Sequence, residues 1–117
     1  MIQIFGTNKS FDCKAAQRFF KERRIPFQFV DLKEKALSEG EFSSVVAAIA
    51  RKEGSRADAV DAMTDKSSKN YASIAYLDDS DKEQKLFENQ DWINLPIVRN
   101  GKAATVGYAP DEWKNWE

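Results

Sequence analysis

Apolar and polar positions follow two different periods in the first third of the chain. "MIQIF" is a short apolar run, and "IPFQFVDL" alternates after its proline, so both segments predict β-strands. Between them, apolar side chains recur at three- and four-residue steps, which predicts a helix with an apolar stripe. A strand, a helix and a strand in this order predict a βαβ unit whose strands pair in parallel. The stripe consists of Phe11, Ala15, Ala16, Phe19 and Phe20.

The middle of the chain has little strand pattern and predicts a helical block. "SEGEFSSVVAAIARKEG" predicts a helix that begins near Ser38 or Gly40 and ends at Gly54. The segment that follows predicts a second helix with Ser55 as its N-cap.

Two later segments of this block are more polar. "SDKEQKLFENQ" predicts a helix, and "DKSSKNYASIAY" fits either a helix or a loop followed by a turn. Asp78, Asp79 and Asp81 lack the glycine and the terminal glutamate of a calcium loop, so they predict a turn and a helix cap.

The last third returns to strands. "LPIVRNGKAATVGY" predicts a hairpin that turns at Asn100-Gly101, because both residues tolerate positive φ. "APDEWKNWE" predicts a short terminal helix whose two tryptophans cover the core.

The order of elements predicts an α/β protein with one four-stranded mixed sheet. A βαβ half (1–32) and a ββα half (91–117) would form a single thioredoxin-like domain, with residues 33–90 as a helical insertion between the halves.

Composition excludes several classes of function. The 117 residues have a formal net charge of -1, which gives no electrostatic reason to expect direct binding of nucleic acid. No apolar run is long enough to cross a bilayer, and no secretory signal is visible, so we expect no membrane partner. A single cysteine cannot form an intrachain disulfide, which favours a cytoplasmic location. The absence of histidine removes the usual general base and the commonest metal ligand, so no metal site is predicted.

Two long segments resemble one branch of the thioredoxin superfamily. "FGTNKSFDCKAAQRFFKERRIPFQFVDL" is similar to the opening of glutaredoxin-like proteins, in which a strand runs into C-x-x-C-K-A and a helix. The helical middle and "LPIVRNGKAATVGYAPDEW" resemble the arsenate reductase and Spx family. The resemblance covers essentially the whole chain and implies the thioredoxin fold.

The leading cysteine of the family motif is replaced. Aligned on "CKA", Cys13 takes the second motif position and Ser10 takes the first, where the family has its nucleophile. A thiolate is the nucleophile in thiol exchange, whereas a serine hydroxyl stays protonated without a base. Ser10 therefore predicts a helix N-cap rather than a catalytic group.

Two arginine positions implied by the resemblance also differ. In arsenate reductases an arginine precedes the proline of the "PIV" segment and holds the oxyanion, and here Leu95 stands there. Measured back from Tyr71, an arginine–lysine pair of those enzymes falls on Asp65 and Lys66.

Cys13 has two interpretations. It borders the apolar stripe, three residues before Ala16 and seven before Phe20, which favours a small buried side chain. Alternatively, it is a semi-exposed thiol near Lys9 and Lys14 that takes a reversible glutathione or sulfenic cap.

The resemblance also implies a binding cleft at Pro96. In thioredoxin folds the corresponding X-Pro bond is cis and faces the first helix, so we expect a cis Leu95-Pro96 bond and a Leu95 backbone free to pair with an extended peptide. The positive groups expected around this cleft are Lys9, Lys14 and either Arg99 or Lys66.

Two functions follow from these observations. The first is a family member without arsenate reductase activity that binds a protein partner, as Spx-type proteins bind RNA polymerase. The second is a monothiol oxidoreductase that uses Cys13 with glutathione, and no other cofactor is expected.

Overall fold

The computed structural model describes residues 1–67 and 71–116. The chain divides into two compact units. One combines Met1–Ala36 with the chain from Leu95 onward, and the other is Leu37–Asn94. The elements, in chain order, are β1 (Ile2–Gly6), α1 (Phe11–Glu22), β2 (Phe27–Asp31), α2 (Glu39–Glu53), α3 (Arg56–Met63), α4 (Tyr71–Ile74), α5 (Asp79–Glu88), β3 (Ile97–Asn100), β4 (Ala103–Val106) and α6 (Pro110–Trp113), with short 3-10 turns at Gln90–Trp92 and Lys114–Trp116.

The first unit contains a four-stranded mixed sheet in the order β2-β1-β3-β4. β1 and β2 pair in parallel across α1, and β3 pairs antiparallel with both β1 and β4. This arrangement confirms the predicted thioredoxin-like fold with one βαβ half and one ββα half.

The core of this unit lies between the sheet and α1. Trp113 is fully buried there, and its indole N–H donates to Thr105 Oγ1 at 2.8 Å, so its one polar atom is satisfied. Burying each large apolar side chain contributes about 1.5–3 kcal/mol. The buried residues of the core cluster are Ile2, Ile4, Ala16, Phe19, Phe20, Val98 and Trp113.

The apolar stripe of α1 differs from the prediction at its first member. Phe11 is 78% exposed, and the interior position near the start of the helix belongs to Cys13. At 3.6 residues per turn, Phe11 lies about 180° around the helix from Phe20, whereas Cys13 lies within about 20° of it. The three-residue step from Phe11 therefore leads to Lys14 on the solvent side and not into the core.

The hairpin turn also lies one residue later than predicted. Asn100 still pairs with Ala103, so the two turn residues are Gly101 and Lys102. Gly101 has φ 60°, which glycine adopts without a steric penalty, whereas Asn100 keeps negative φ. The prediction of a hairpin is confirmed, but the prediction that Asn100 occupies the turn is wrong.

The second unit is helical, as expected. α2 begins with a full capping box between Ser38 and Glu41 and ends at Gly54, which has a φ of 108°. Ser55 caps α3 and Asp78 caps α5, confirming both predicted caps.

The segment for which a helix or a loop was predicted forms one helical turn, α4, followed by a turn. Ser68, Lys69 and Asn70, also in that segment, lie outside the described residues. No helix among the described residues is long and apolar enough to span a membrane.

One contact in the second unit joins residues far apart in sequence. The Leu37 N–H donates to Gln90 Oε1 at 2.7 Å, and Gln90 Nε2 donates to the Leu37 carbonyl at 2.9 Å. The same unit has an antiparallel bridge between Thr64 and Ile93. The first contact joins the beginning of the helical unit to its end and the bridge joins its middle to its end, and no local sequence pattern indicates either.

Candidate functional site

The end of β1, the first turn of α1 and the segment before β3 meet around Gly6. A Cβ atom built on Gly6 would overlap Cys13 Sγ and would lie 3.2 Å from Cys13 Cβ and 3.8 Å from Pro96 Cβ. Any side chain at position 6 would therefore displace Cys13. Gly6 was not among the predicted site residues, although a glycine between a strand and a capped helix is a signal for close approach.

Ser10 lies at the N-cap of α1. Its backbone is extended, with φ −79° and ψ 127°, and its Oγ accepts a hydrogen bond from the Cys13 N–H at 3.2 Å. The predicted cap is thus present. The hydroxyl satisfies one of the free N–H groups at the helix start, and the chain has no histidine that could remove its proton.

Cys13 is a free cysteine with 0% of its surface exposed. Its side chain lies under the Gly6 backbone and belongs to the buried face of α1. This position agrees with the interpretation of Cys13 as a small buried side chain. A thiol exchange at Sγ would require α1 or β1 to move first, because the attacking molecule must reach the sulfur.

The Leu95-Pro96 peptide bond is cis, as expected. Pro96 is buried, and its carbonyl accepts a hydrogen bond from the Gly107 N–H at 2.8 Å. Across residues 1–67 and 71–116, neither the N–H nor the C=O of Leu95 has a hydrogen-bond partner.

The exposed groups at the start of α1 are cationic and aromatic. Lys9 and Lys14 are exposed on either side of the cap, and Phe11 is exposed between them. This combination suits a polar, anionic surface that also carries an apolar side chain.

The remaining candidate positions lie elsewhere in the sequence, Asp65 and Lys66 in the helical unit and Arg99 in the same unit as α1. Lys66 lies in the helical unit, where its Nζ donates to Asp61 Oδ2 at 2.8 Å, and this hydrogen bond raises the pKa of Lys66. Asp65 accepts from both the backbone and the hydroxyl of Ser67. Arg99 lies in β3, in register with Gln3.

The described residues also offer no cluster of metal-binding side chains. In residues 1–67 and 71–116, no three His, Cys, Asp or Glu side chains are grouped closely enough to hold one.

Comparisons with known proteins identify the fold. No family model matches the chain, and a search of curated proteins finds no match. Solved structures do match over nearly the full length of both chains. An arsenate reductase from Vibrio cholerae has a TM-score of 0.79 at 19% identity, covering 97% of this chain and 95% of its own.

Two further structures are equally similar. A protein from Bacteroides fragilis described as related to the ArsC family has a TM-score of 0.78 at 16% identity, covering 99% of this chain and 97% of its own. A protein called YFFB has a TM-score of 0.80 at 16% identity, covering 98% and 97%. The chain thus has the thioredoxin-like fold of these arsenate reductase-related structures.

Proposed function

We propose that this chain is a relative of the arsenate reductases that lacks arsenate reductase activity and acts by binding a protein partner. The observation that carries the proposal is Ser10, which caps α1 at the position where the resemblance predicts the attacking cysteine. Reduction of an arsenate oxyanion by thiol chemistry needs an accessible thiolate at that position.

The rest of the site supports the loss of activity. The single thiol of the chain, on Cys13, is completely buried, so no accessible thiol lies at the start of α1 in the described structure. Leu95 replaces the arginine that would hold the oxyanion, and a leucine side chain supplies no hydrogen-bond donor to an anion.

The same site suits a protein partner. The unpaired Leu95 backbone offers one N–H and one C=O for main-chain hydrogen bonds with an extended segment. The exposed Phe11 lies at the start of α1 and can contribute apolar contact area. By resemblance to Spx-type proteins, RNA polymerase is the first partner to test.

The test is arsenate turnover by the purified protein with glutathione and glutaredoxin. We expect no turnover above the protein-free rate, and the same result for Ser10→Ala. Ser10→Cys is the matched variant, since it restores the leading sulfur and leaves the rest of the site unchanged. Turnover by the unmodified protein that Cys13→Ala abolishes would refute the proposal and favour the oxidoreductase.

A further inference from the structure

The solvent face of α1 carries a groove lined only by polar and cationic side chains. We infer that this basic groove binds an acidic segment of a protein partner that also carries an apolar side chain. The inference rests on the proposed function, because it names the chemistry of the partner. The groove has a volume of about 360 Å³ and is lined by Asn8, Lys14, Gln17, Arg18 and Lys21.

The three cations form a row along the helix. Lys14 and Arg18 are four residues apart, and Arg18 and Lys21 are three apart, so all three project from one face. At a rise of 1.5 Å per residue the row is about 10 Å long, with about 5–6 Å between neighbours. Carboxylates one helical turn apart on a partner would match this spacing.

No ion pair holds the cations of the row within the described chain. Lys14, Arg18 and Lys21 form no ion pair with any residue of 1–67 or 71–116. Like charges three and four residues apart destabilise a helix, and Lys14 also lies near the positive end of the helix dipole. The acidic residues of α1, Asp12 and Glu22, do not line the groove. An external anion would remove this repulsion.

Phe11 extends the same face. It precedes Lys14 by three residues and Arg18 by seven, which places it in line with the row, and it is 78% exposed. Exposed aromatic and arginine side chains are the residue types that dominate binding energy at interfaces. The groove therefore fits an acidic segment with one apolar anchor better than a simple anion.

The charge distribution favours a protein segment over nucleic acid. By sequence, the unit that contains α1 has eleven Lys and Arg against seven Asp and Glu, whereas the helical unit has seven against twelve. The chain as a whole has a net charge of -1. A net charge of this sign gives a nucleic-acid backbone no long-range attraction to the chain, whereas a short acidic segment needs only the groove.

Fluorescence anisotropy with a labelled peptide tests the inference. The probe has Glu residues at helical spacing and one Leu, and its control has Gln in place of Glu. We expect the acidic peptide alone to bind, and Lys14→Glu combined with Arg18→Glu to raise its dissociation constant by at least about tenfold. Phe11→Ala should raise it several-fold without altering its salt dependence.

The matched control is Lys33→Glu combined with Lys35→Glu. This pair makes the same change of net charge in the same unit, at exposed positions outside the groove, and should change the dissociation constant by less than about twofold. Circular dichroism checks that each variant is folded.

Three results would overturn the inference. In the first, the acidic peptide does not bind. In the second, the Lys33/Lys35 control loses as much affinity for the peptide as the Lys14/Arg18 variant. In the third, labelled RNA or anionic vesicles bind to the groove and the peptide does not. Arsenate turnover measured on the same preparations separates the two proposals. Absence of peptide binding without turnover rejects only the groove, whereas turnover rejects the proposed function.

Discussion

At the scale of single residues, the site depends on two positions. One is a glycine at position 6, and the other is a serine at position 10, where the family motif would have a cysteine. Gly6 leaves the space that Cys13 fills, and Ser10 keeps the cap of α1 without supplying a thiol. The cap was predictable from sequence, because an N-cap is a contact over three residues. The contact between Gly6 and Cys13 was not, because it depends on how closely a helix packs against a strand.

The close contact between the Gly6 backbone and the Cys13 side chain leads to a prediction about stability. Gly6→Ala should lower the free energy of unfolding by about 1–3 kcal/mol, because the new methyl group overlaps Cys13 Sγ. The loss should be smaller when Cys13→Ala is already present, since the overlapping sulfur is then gone. Urea unfolding of the four proteins of this cycle measures the coupling.

Gly40→Ala serves as the control for this cycle. Gly40 lies in α2, and a Cβ atom there would meet nothing within 4 Å. This change should therefore raise the free energy of unfolding by about 0.5–1 kcal/mol. A neutral Gly6→Ala, or equal losses with and without Cys13, would contradict the packing described for the site.

At the scale of elements, local chemistry predicts where helices begin better than which face they bury. The capping residues Ser38 and Ser55 are where the sequence placed them. Phe11 was assigned to the core and is exposed, because a three-residue step alone does not define the centre of an apolar stripe. The hairpin turn was misplaced by one residue, because strand register fixed which positions form the turn and Asn100 stayed paired.

The hydrogen bonds at the C-terminal end of α1 lead to a second prediction about stability. The Ile25 N–H donates to the Phe20 carbonyl and the Arg24 N–H to the Lys21 carbonyl, which is the Schellman pattern. Arg24 takes the left-handed position of this pattern, with φ 58°. Arg24→Gly should therefore raise the free energy of unfolding by up to about 1 kcal/mol, measured by urea unfolding.

The neighbouring arginine is the matched control. Arg23 lies over the Phe19 ring at 3.7 Å, and its side chain donates to the Phe19 carbonyl at 3.3 Å. Arg23→Gly should lower the free energy of unfolding, because it loses both contacts and its φ of −92° gains nothing from glycine. Equal effects of the two substitutions would show that the left-handed conformation of Arg24 carries no cost.

At the scale of the whole molecule, the sequence predicts the fold well and the site only in part. The βαβ and ββα halves follow from the period of the apolar positions and from the order of the predicted elements. The observed four-stranded sheet agrees with both halves. The pairing of Leu37 with Gln90 lies beyond any local pattern, because 53 residues separate the two partners. The three cations of α1 can be read from the sequence, but the groove that they line is defined only in the folded chain.

The proposed function requires that α1 present no nucleophilic sulfur at its start. The most direct measurement is the rate at which a thiol reagent labels the native, freshly reduced protein. We expect Cys13 to react only as fast as the protein opens, and Ser10→Cys to add one thiol that reacts rapidly. Rapid labelling of Cys13 in the native, unmodified protein would show that a reactive sulfur is present and would refute the proposed function.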